Sequence, residues 1–310
     1  MPPTAGEALA AAGLTVDMIE SDDAPPRSLV LERARGCAGL ISMLSDRVDA
    51  DFLDAAGPGL RVVANYAVGF DNIDLEACRQ RGIRVTNTPG VLTEATADLA
   101  WALILAAARR VAEGDRLMRS GGWTGWAPLQ LLGLELCGAT LGILGAGRIG
   151  SAVARRSIGF RMRVLYTDPR QNLELERETG ARRVEMDRLL AESDVLSLHV
   201  PLTPAARHLI GPAQLAAMKR TAILINTARG PVVDEAALVA ALRSGQIAAA
   251  GLDVYEHEPR LTPGLTDLPN VVLLPHLGSA TTATRSRMAA MAAENVIAVL
   301  SGREPPNAVV

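Results

Sequence analysis

Ala139-Thr140-Leu141-Gly142-Ile143-Leu144-Gly145-Ala146-Gly147-Arg148-Ile149-Gly150 runs from a short apolar segment into a glycine turn, and the stretch 139–168 decides the fold. Ala152, Val153 and Ile158 continue it with a helical pattern, and Met162-Arg163-Val164-Leu165-Tyr166-Thr167 reads as a second strand delivering Asp168, 23 residues beyond Gly145. Strand, turn, helix and strand in this spacing predict a dinucleotide-binding βαβ unit. Gly145 supplies a tight turn, Gly147 lets the backbone approach a pyrophosphate, and Gly150 lets helix and strand pack closely. The pyrophosphate would meet the free N–H groups at the positive end of the helix. Asp168 can accept hydrogen bonds from ribose hydroxyls and repels a 2′-phosphate, which favours NAD. Arg170 could meet that phosphate, so NADP stands as the alternative.

Outward from this unit, the chain of 310 residues has room for about two domains. It is 49% hydrophobic but only 3% aromatic, so its cores must be built from Ala, Val, Leu and Ile, residues suited to parallel strands covered on both faces. A net charge of −3 argues against a nucleic-acid surface or a polybasic membrane footprint. Lys219 is the one lysine, which makes Schiff-base chemistry improbable. Three scattered cysteines and four histidines with no ligand spacing predict no structural metal and a reduced, cytoplasmic chain. No apolar run approaches the ~18 residues of a membrane span.

Upstream, Ala5–Ala12 reads as a helix and Leu14–Ile19 alternates as a strand. A helix over 28–35, a strand over 38–43, a helix over 51–56 and strands over 60–65 and 82–87 predict a small α/β domain. Thr93 to Ser120 reads as one long helix, and Trp123 and Trp126 follow on a glycine-rich loop of the kind that marks a contact. Tyr66 to Asp74 is an unusual strand exit. Either Gly69 opens a loop whose N–H groups hold a carboxylate, or Asx turns at Asp71 and Asn72 make it a plain loop. Downstream of Asp168, strands over 195–200, 222–226, 248–254 and 271–274 alternate with helices over 187–192, 212–218 and 235–244, extending a doubly wound sheet.

Ligands of such sheets bind beyond the carboxyl ends of the strands, and three ionisable residues fall there: Arg229, Glu258 and His276. Hydride reduction of a 2-keto acid needs a cation for the carboxylate and carbonyl oxygen and a proton donor for the developing alkoxide. Arginine offers a permanently charged fork, and histidine beside a carboxylate can donate near neutral pH.

The glycine turn, His199-Val200-Pro201-Leu202-Thr203-Pro204, Asn226-Thr227-Ala228-Arg229-Gly230, Gly251-Leu252-Asp253-Val254 with Glu258-Pro259, and Pro275-His276-Leu277-Gly278-Ser279 resemble the D-2-hydroxyacid dehydrogenase family. Within it, residues 65–74 and Thr88-Pro89-Gly90-Val91-Leu92-Thr93 look like glyoxylate/hydroxypyruvate reductases. The resemblance implies an α/β protein of two Rossmann-like, doubly wound parallel-sheet domains, the nucleotide-binding one (91–281) inserted in a smaller substrate domain (1–90 plus 282–310). It implies His276 as proton donor, Glu258 as its partner and Arg229 on substrate. Cofactor contacts are implied at Gly145, Gly147, Arg148, Ile149, Gly150, Asp168, Val200, Pro201, Thr227, Ala228, Arg229, Asp253, His276 and Gly278, with Asp253 at the nicotinamide carboxamide. Substrate contacts are implied at Leu44, Val68, Gly69, Arg229 and Trp126, the last across a homodimer. Three departures stand out: no strand precedes the helix at Ala5, Ala206 replaces a threonine hydroxyl near the cofactor phosphates, and Asp168 argues for NAD where the resemblance to the glyoxylate-reductase branch implies NADP for many relatives. The rival activities are a phosphoglycerate-type dehydrogenase of the same family and a non-catalytic NAD(H)-sensing binding protein.

Overall fold

A computed structural model describes residues 1–21 and 23–310, which form two compact units, 1–92 with 279–310 and 93–278. In chain order the smaller unit contains α1 (Thr4–Ala11), α2 (Arg27–Ala34), β1 (Gly39–Ser42), α3 (Ala50–Ala56), β2 (Val62–Asn65), α4 (Leu75–Gln80) and β3 (Arg84–Thr86). The larger unit contains α5 (Thr93–Ala108), α6 (Val111–Arg119), β4 (Thr140–Leu144), α7 (Arg148–Arg156), β5 (Arg163–Thr167), α8 (Leu173–Thr179), β6 (Arg182–Arg183), α9 (Met186–Glu192), β7 (Val195–Leu198), α10 (Pro212–Ala217), β8 (Ile223–Asn226), α11 (Glu235–Arg243), β9 (Ala249–Leu252) and β10 (Val271–Leu273). The chain then returns to the smaller unit with α12 (Thr282–Leu300).

Both sheets are parallel throughout. The larger is ordered β10-β9-β8-β7-β4-β5-β6, and the smaller β1-β2-β3. Every residue of β4, β7, β8 and β9 is buried, as expected of strands covered by helices on both faces. One core layer joins Ile143, Val164 and Ile225 to Leu103 and Ile104 of α5, and the other joins Leu144, Leu198 and Leu224 to Leu215 and Leu238 of α10 and α11. Each fully buried leucine or isoleucine contributes about 1.5–3 kcal/mol. The strand order reverses between β4 and β7, so the loops that leave their carboxyl ends, at Gly145 and His199, flank the crevice where such sheets bind ligands. Short polar side chains start the helices. Asp49, Asp74, Asn172, Asp234 and Thr281 each accept an N–H of the first turn of α3, α4, α8, α11 and α12.

Two expectations fail. The predicted strand Leu14–Ile19 is absent. No ladder pairs it, and Val16 and Met18 are each 38% exposed, so its alternation marks no buried face. Alternation makes a strand only where a neighbouring edge takes its hydrogen bonds. The single helix expected over 93–120 is two helices. The Ala108 carbonyl accepts from Leu134 N at 2.8 Å instead of the next helical turn, and Arg110 takes a left-handed φ of 52°. Eight residues of α5 are buried and none of α6, so the break falls where the helix leaves the sheet.

Candidate active site

The glycine turn has the geometry its spacing predicts. Gly145 has φ +96°, and a Cβ there would sit 2.7 Å from the His199 carbonyl oxygen. A Cβ on Gly150 would run into the Gly145 carbonyl, which is the close helix–strand approach expected. At Gly147 a Cβ would meet nothing within 4 Å, so this glycine leaves an open backbone face at the N-terminus of α7. Arg148 beside it is exposed and Ile149 half-buried. Asp168, at the end of β5, accepts from Ala146 N (2.9 Å) and Arg170 N (2.9 Å), tying the second strand to the glycine turn. Val200 and Pro201 follow β7 at the other side of the switch point. Thr227 Oγ1 after β8 is buried and has no hydrogen-bond partner among the described residues, leaving it available to a bound group. An open cradle, a helix N-terminus and an orphaned hydroxyl along one sheet edge fit a dinucleotide.

At the ends of β8, β9 and β10 the chain assembles the three ionisable residues. Asn226 shapes the first turn. Its Oδ1 accepts from Ala228 N (3.0 Å) and its Nδ2 donates to Arg229 O (2.9 Å), while the Arg229 guanidinium donates back to Ala228 O (2.8 Å). Gly230 abuts the Tyr255 backbone so closely that any Cβ would overlap it, which brings the Arg229 turn against the loop carrying Glu258. That loop is held by Tyr255 N, donating to Glu258 Oε1 at 3.0 Å, and by the buried Glu235 at the start of α11, whose carboxylate accepts from Glu256 N (2.7 Å) and Thr262 Oγ1 (2.6 Å).

His276 Nδ1 lies 2.9 Å from Glu258 Oε2, which leaves Nε2 as the nitrogen able to deliver a proton. His276 itself has φ 54°, an uncommon conformation for a side-chain-bearing residue, and Asp253 holds it there. The Asp253 carbonyl accepts from His276 N (3.0 Å), and its carboxylate accepts from Leu277 N (2.6 Å) and Gly278 N (2.8 Å). Asp253 is 1% exposed with both carboxylate oxygens engaged, so in this chain it is the scaffold of the histidine turn. Burial raises the Glu258 carboxyl, but the hydrogen bond and charge of His276, the Tyr255 N–H and the Arg229 charge outweigh it and hold the group below its ordinary value. A cation, a carboxylate kept ionised and an oriented imidazole on consecutive strand ends can polarise a carbonyl and protonate the oxygen that results.

In the smaller unit, Leu44 lies in the turn after β1, and Val68 and Gly69 in the loop after β2; all three are half-buried. Trp126 is 82% exposed on the segment after α6. Ala206 is buried and its N–H donates to Thr203 Oγ1 (3.2 Å), so the neighbouring threonine hydroxyl caps the local turn. Among the described residues no group of three His, Cys, Asp or Glu side chains could hold a metal, and no helix is long and apolar enough to cross a membrane. Asn226 and Glu235 were not anticipated. An asparagine closing a strand before a tight turn is a signal for the first, but nothing local marks a glutamate in a helical first turn as buried.

The profile of the D-isomer specific 2-hydroxyacid dehydrogenase NAD-binding domain matches residues 101–278. A glyoxylate reductase of Korarchaeum cryptofilum is 56% identical over 292 residues, 93% of this chain and 87% of that protein. The crystal structure of the TT0316 protein from Thermus thermophilus superposes with a TM-score of 0.93 at 52% identity, covering 100% of this chain and 97% of that one. The NADPH-dependent glyoxylate/hydroxypyruvate reductase of Sinorhizobium meliloti, solved with NADP and malonate, superposes at 0.87 with 35% identity over 100% and 94% of the two chains.

Proposed function

This chain belongs to the D-isomer specific 2-hydroxyacid dehydrogenase family, and from that membership we infer that it reduces a small 2-oxo acid to the 2-hydroxy acid, glyoxylate to achiral glycolate or hydroxypyruvate to the D-hydroxy acid. It is an NAD(P)-dependent oxidoreductase. The bound nicotinamide supplies the hydride. The observation that carries the reading is the His276–Glu258 pair beside Arg229, at the same edge of the sheet as the open glycine cradle. In this reading Arg229 polarises the substrate carbonyl, and His276 Nε2 gives its proton to the carbonyl oxygen as the carbon is reduced. Glu258 accepts from Nδ1 and keeps the ring turned so that Nε2 is free for the substrate. Within the smaller unit, the N–H groups of Val68 and Gly69, with Leu44 in the neighbouring turn, are the donors proposed for a carboxylate. Asp168 favours NAD, because a 2′-phosphate would approach a carboxylate.

Exposed apolar side chains support a homodimer. Leu105 of α5, Val111 and Met118 of α6, and Trp123, Trp126, Leu129 and Leu132 of the segment that follows are 37–82% exposed, large apolar side chains of the kind that mark a contact. In that dimer Trp126 reaches the substrate pocket of the second copy.

The test is a panel of 2-keto acids with NADH and with NADPH, comparing kcat/KM. Turnover of glyoxylate or hydroxypyruvate, higher with NADH, is expected. NADH binding without turnover of any 2-keto acid would overturn the enzymatic reading in favour of a nucleotide sensor, and preference for NADPH would sink the role given to Asp168.

A further inference from the structure

Three asparagines hold the loop after β2 from behind. Asn65, fully buried, donates from Nδ2 to Gly69 O (2.7 Å) and to Asn72 Oδ1 (3.1 Å), and its Oδ1 accepts from Ser42 Oγ (3.1 Å) and Asn72 Nδ2 (3.2 Å). Asn72 Nδ2 also reaches Met43 O (3.1 Å) and Asp46 O (3.0 Å), the two ends of the turn containing Leu44. Asn72 therefore makes no isolated Asx turn but ties two strand-end loops together. Asn87, just past β3, donates from Nδ2 to Val68 O (2.7 Å), and Thr88 N donates to Ala67 O (2.8 Å).

Three successive carbonyls, of Ala67, Val68 and Gly69, are thus all engaged by the protein. In a trans peptide the C=O and the following N–H point in opposite directions. Holding Ala67 O fixes where Val68 N–H points, and holding Val68 O fixes where Gly69 N–H points. Neither N–H finds an acceptor among the described residues. Val68 and Gly69 therefore offer two adjacent backbone donors, each fixed by an anchored carbonyl and without an acceptor among the described residues, to an anion.

We propose that Asn65, Asn72 and Asn87 are positioning residues for the substrate carboxylate, Asn87 by aiming the Gly69 N–H and the Asn65–Asn72 pair by locking that loop to the Leu44 turn. The proposal rests on the 2-keto acid reading above and adds the device that sets its carboxylate affinity. The asparagines bond loop carbonyls and one another, so the proposal has them act through the loop backbone, on carboxylate binding.

The test uses the full chain with Asn87→Ala and the isosteric Asn87→Asp, which keeps the shape but replaces the donor with an acceptor facing Val68 O. Steady-state kinetics with glyoxylate and with its uncharged methyl ester, inhibition by oxamate, and NADH binding by fluorescence are measured beside a thermal melt. The expected result is a KM for glyoxylate and a Ki for oxamate each raised roughly tenfold or more, the aspartate variant at least as impaired as the alanine. Activity on the ester and NADH affinity should stay within about twofold of the wild type, the scatter expected where no interaction is lost. Unchanged KM and Ki in both folded variants would overturn the proposal, as would equal losses on acid, ester and NADH, which would mark Asn87 as merely structural. A wild-type protein that reduced no 2-keto acid would overturn the functional reading, and this inference with it.

Discussion

At the residue scale, the site is an arrangement of strained and anchored groups. His276 sits in a left-handed conformation supported by the Asp253 scaffold and the Leu274 carbonyl, with its ring turned to Glu258. Replacing His276 by alanine should lower kcat by about 10²–10⁴-fold, the usual worth of a positioned general acid, while NADH binding measured by fluorescence is retained. A second histidine has the opposite character. His199 follows β7, its ring nitrogen lies 2.8 Å from Ser197 Oγ, and burial pushes its pKa from 6.5 down to about 3. The folded protein therefore keeps it neutral, while the unfolded chain protonates near 6.5. Its contribution to stability is complete above pH 6.5 and is lost progressively as pH falls toward about 3. Denaturation midpoints between pH 7 and pH 4 should decline less steeply in His199→Asn than in the wild type; an unchanged slope would show that His199 is not responsible. Arg229, Glu258 and His276 were legible because each follows an apolar run that could only be a strand. Asn65, Asn72 and Asn87 were not, because their partners lie on loops brought together only by folding.

At the element scale, the βαβ unit depends on how closely α7 approaches β4. A Cβ on Gly150 would meet the Gly145 carbonyl and Ile143, so Gly150→Ala must push the helix off the strand. The expected outcome is a loss of about 1–3 kcal/mol in a denaturant titration, typical of overpacking, with weakened NADH affinity because the cradle moves with the helix. Wild-type-like stability and affinity would mean the approach is looser than the backbone indicates. Helix breaks were the least legible feature. Nothing at Arg109-Arg110 resembles a stop signal, since neither proline nor glycine is present. The break is imposed by Leu134, which takes the Ala108 carbonyl from a distance of 26 residues. The false strand at Leu14–Ile19 has the same cause in reverse, a local pattern with no partner edge.

At the scale of the whole molecule, the apolar segment Leu105–Leu132 is the surface most in need of cover. Leu129, 80% exposed, and Leu132, 62% exposed, should be replaceable by aspartate without disturbing either core. If this segment joins two copies, sedimentation equilibrium should give twice 32.6 kDa for the wild type and a concentration-dependent fall toward 32.6 kDa for the Leu129→Asp, Leu132→Asp double variant. An unaltered mass would locate the interface elsewhere. The βαβ unit and the placing of Arg229, Glu258 and His276 beyond successive strand ends could be read from the chain alone, because periodicity, glycine spacing and strand-end position are local properties. Tertiary structure alone decided where the long helix breaks, that Asp253 builds the histidine turn, and which way the Val68 and Gly69 N–H groups face. Those outcomes depend on hydrogen bonds between residues far apart in the chain, whose geometry no local pattern encodes.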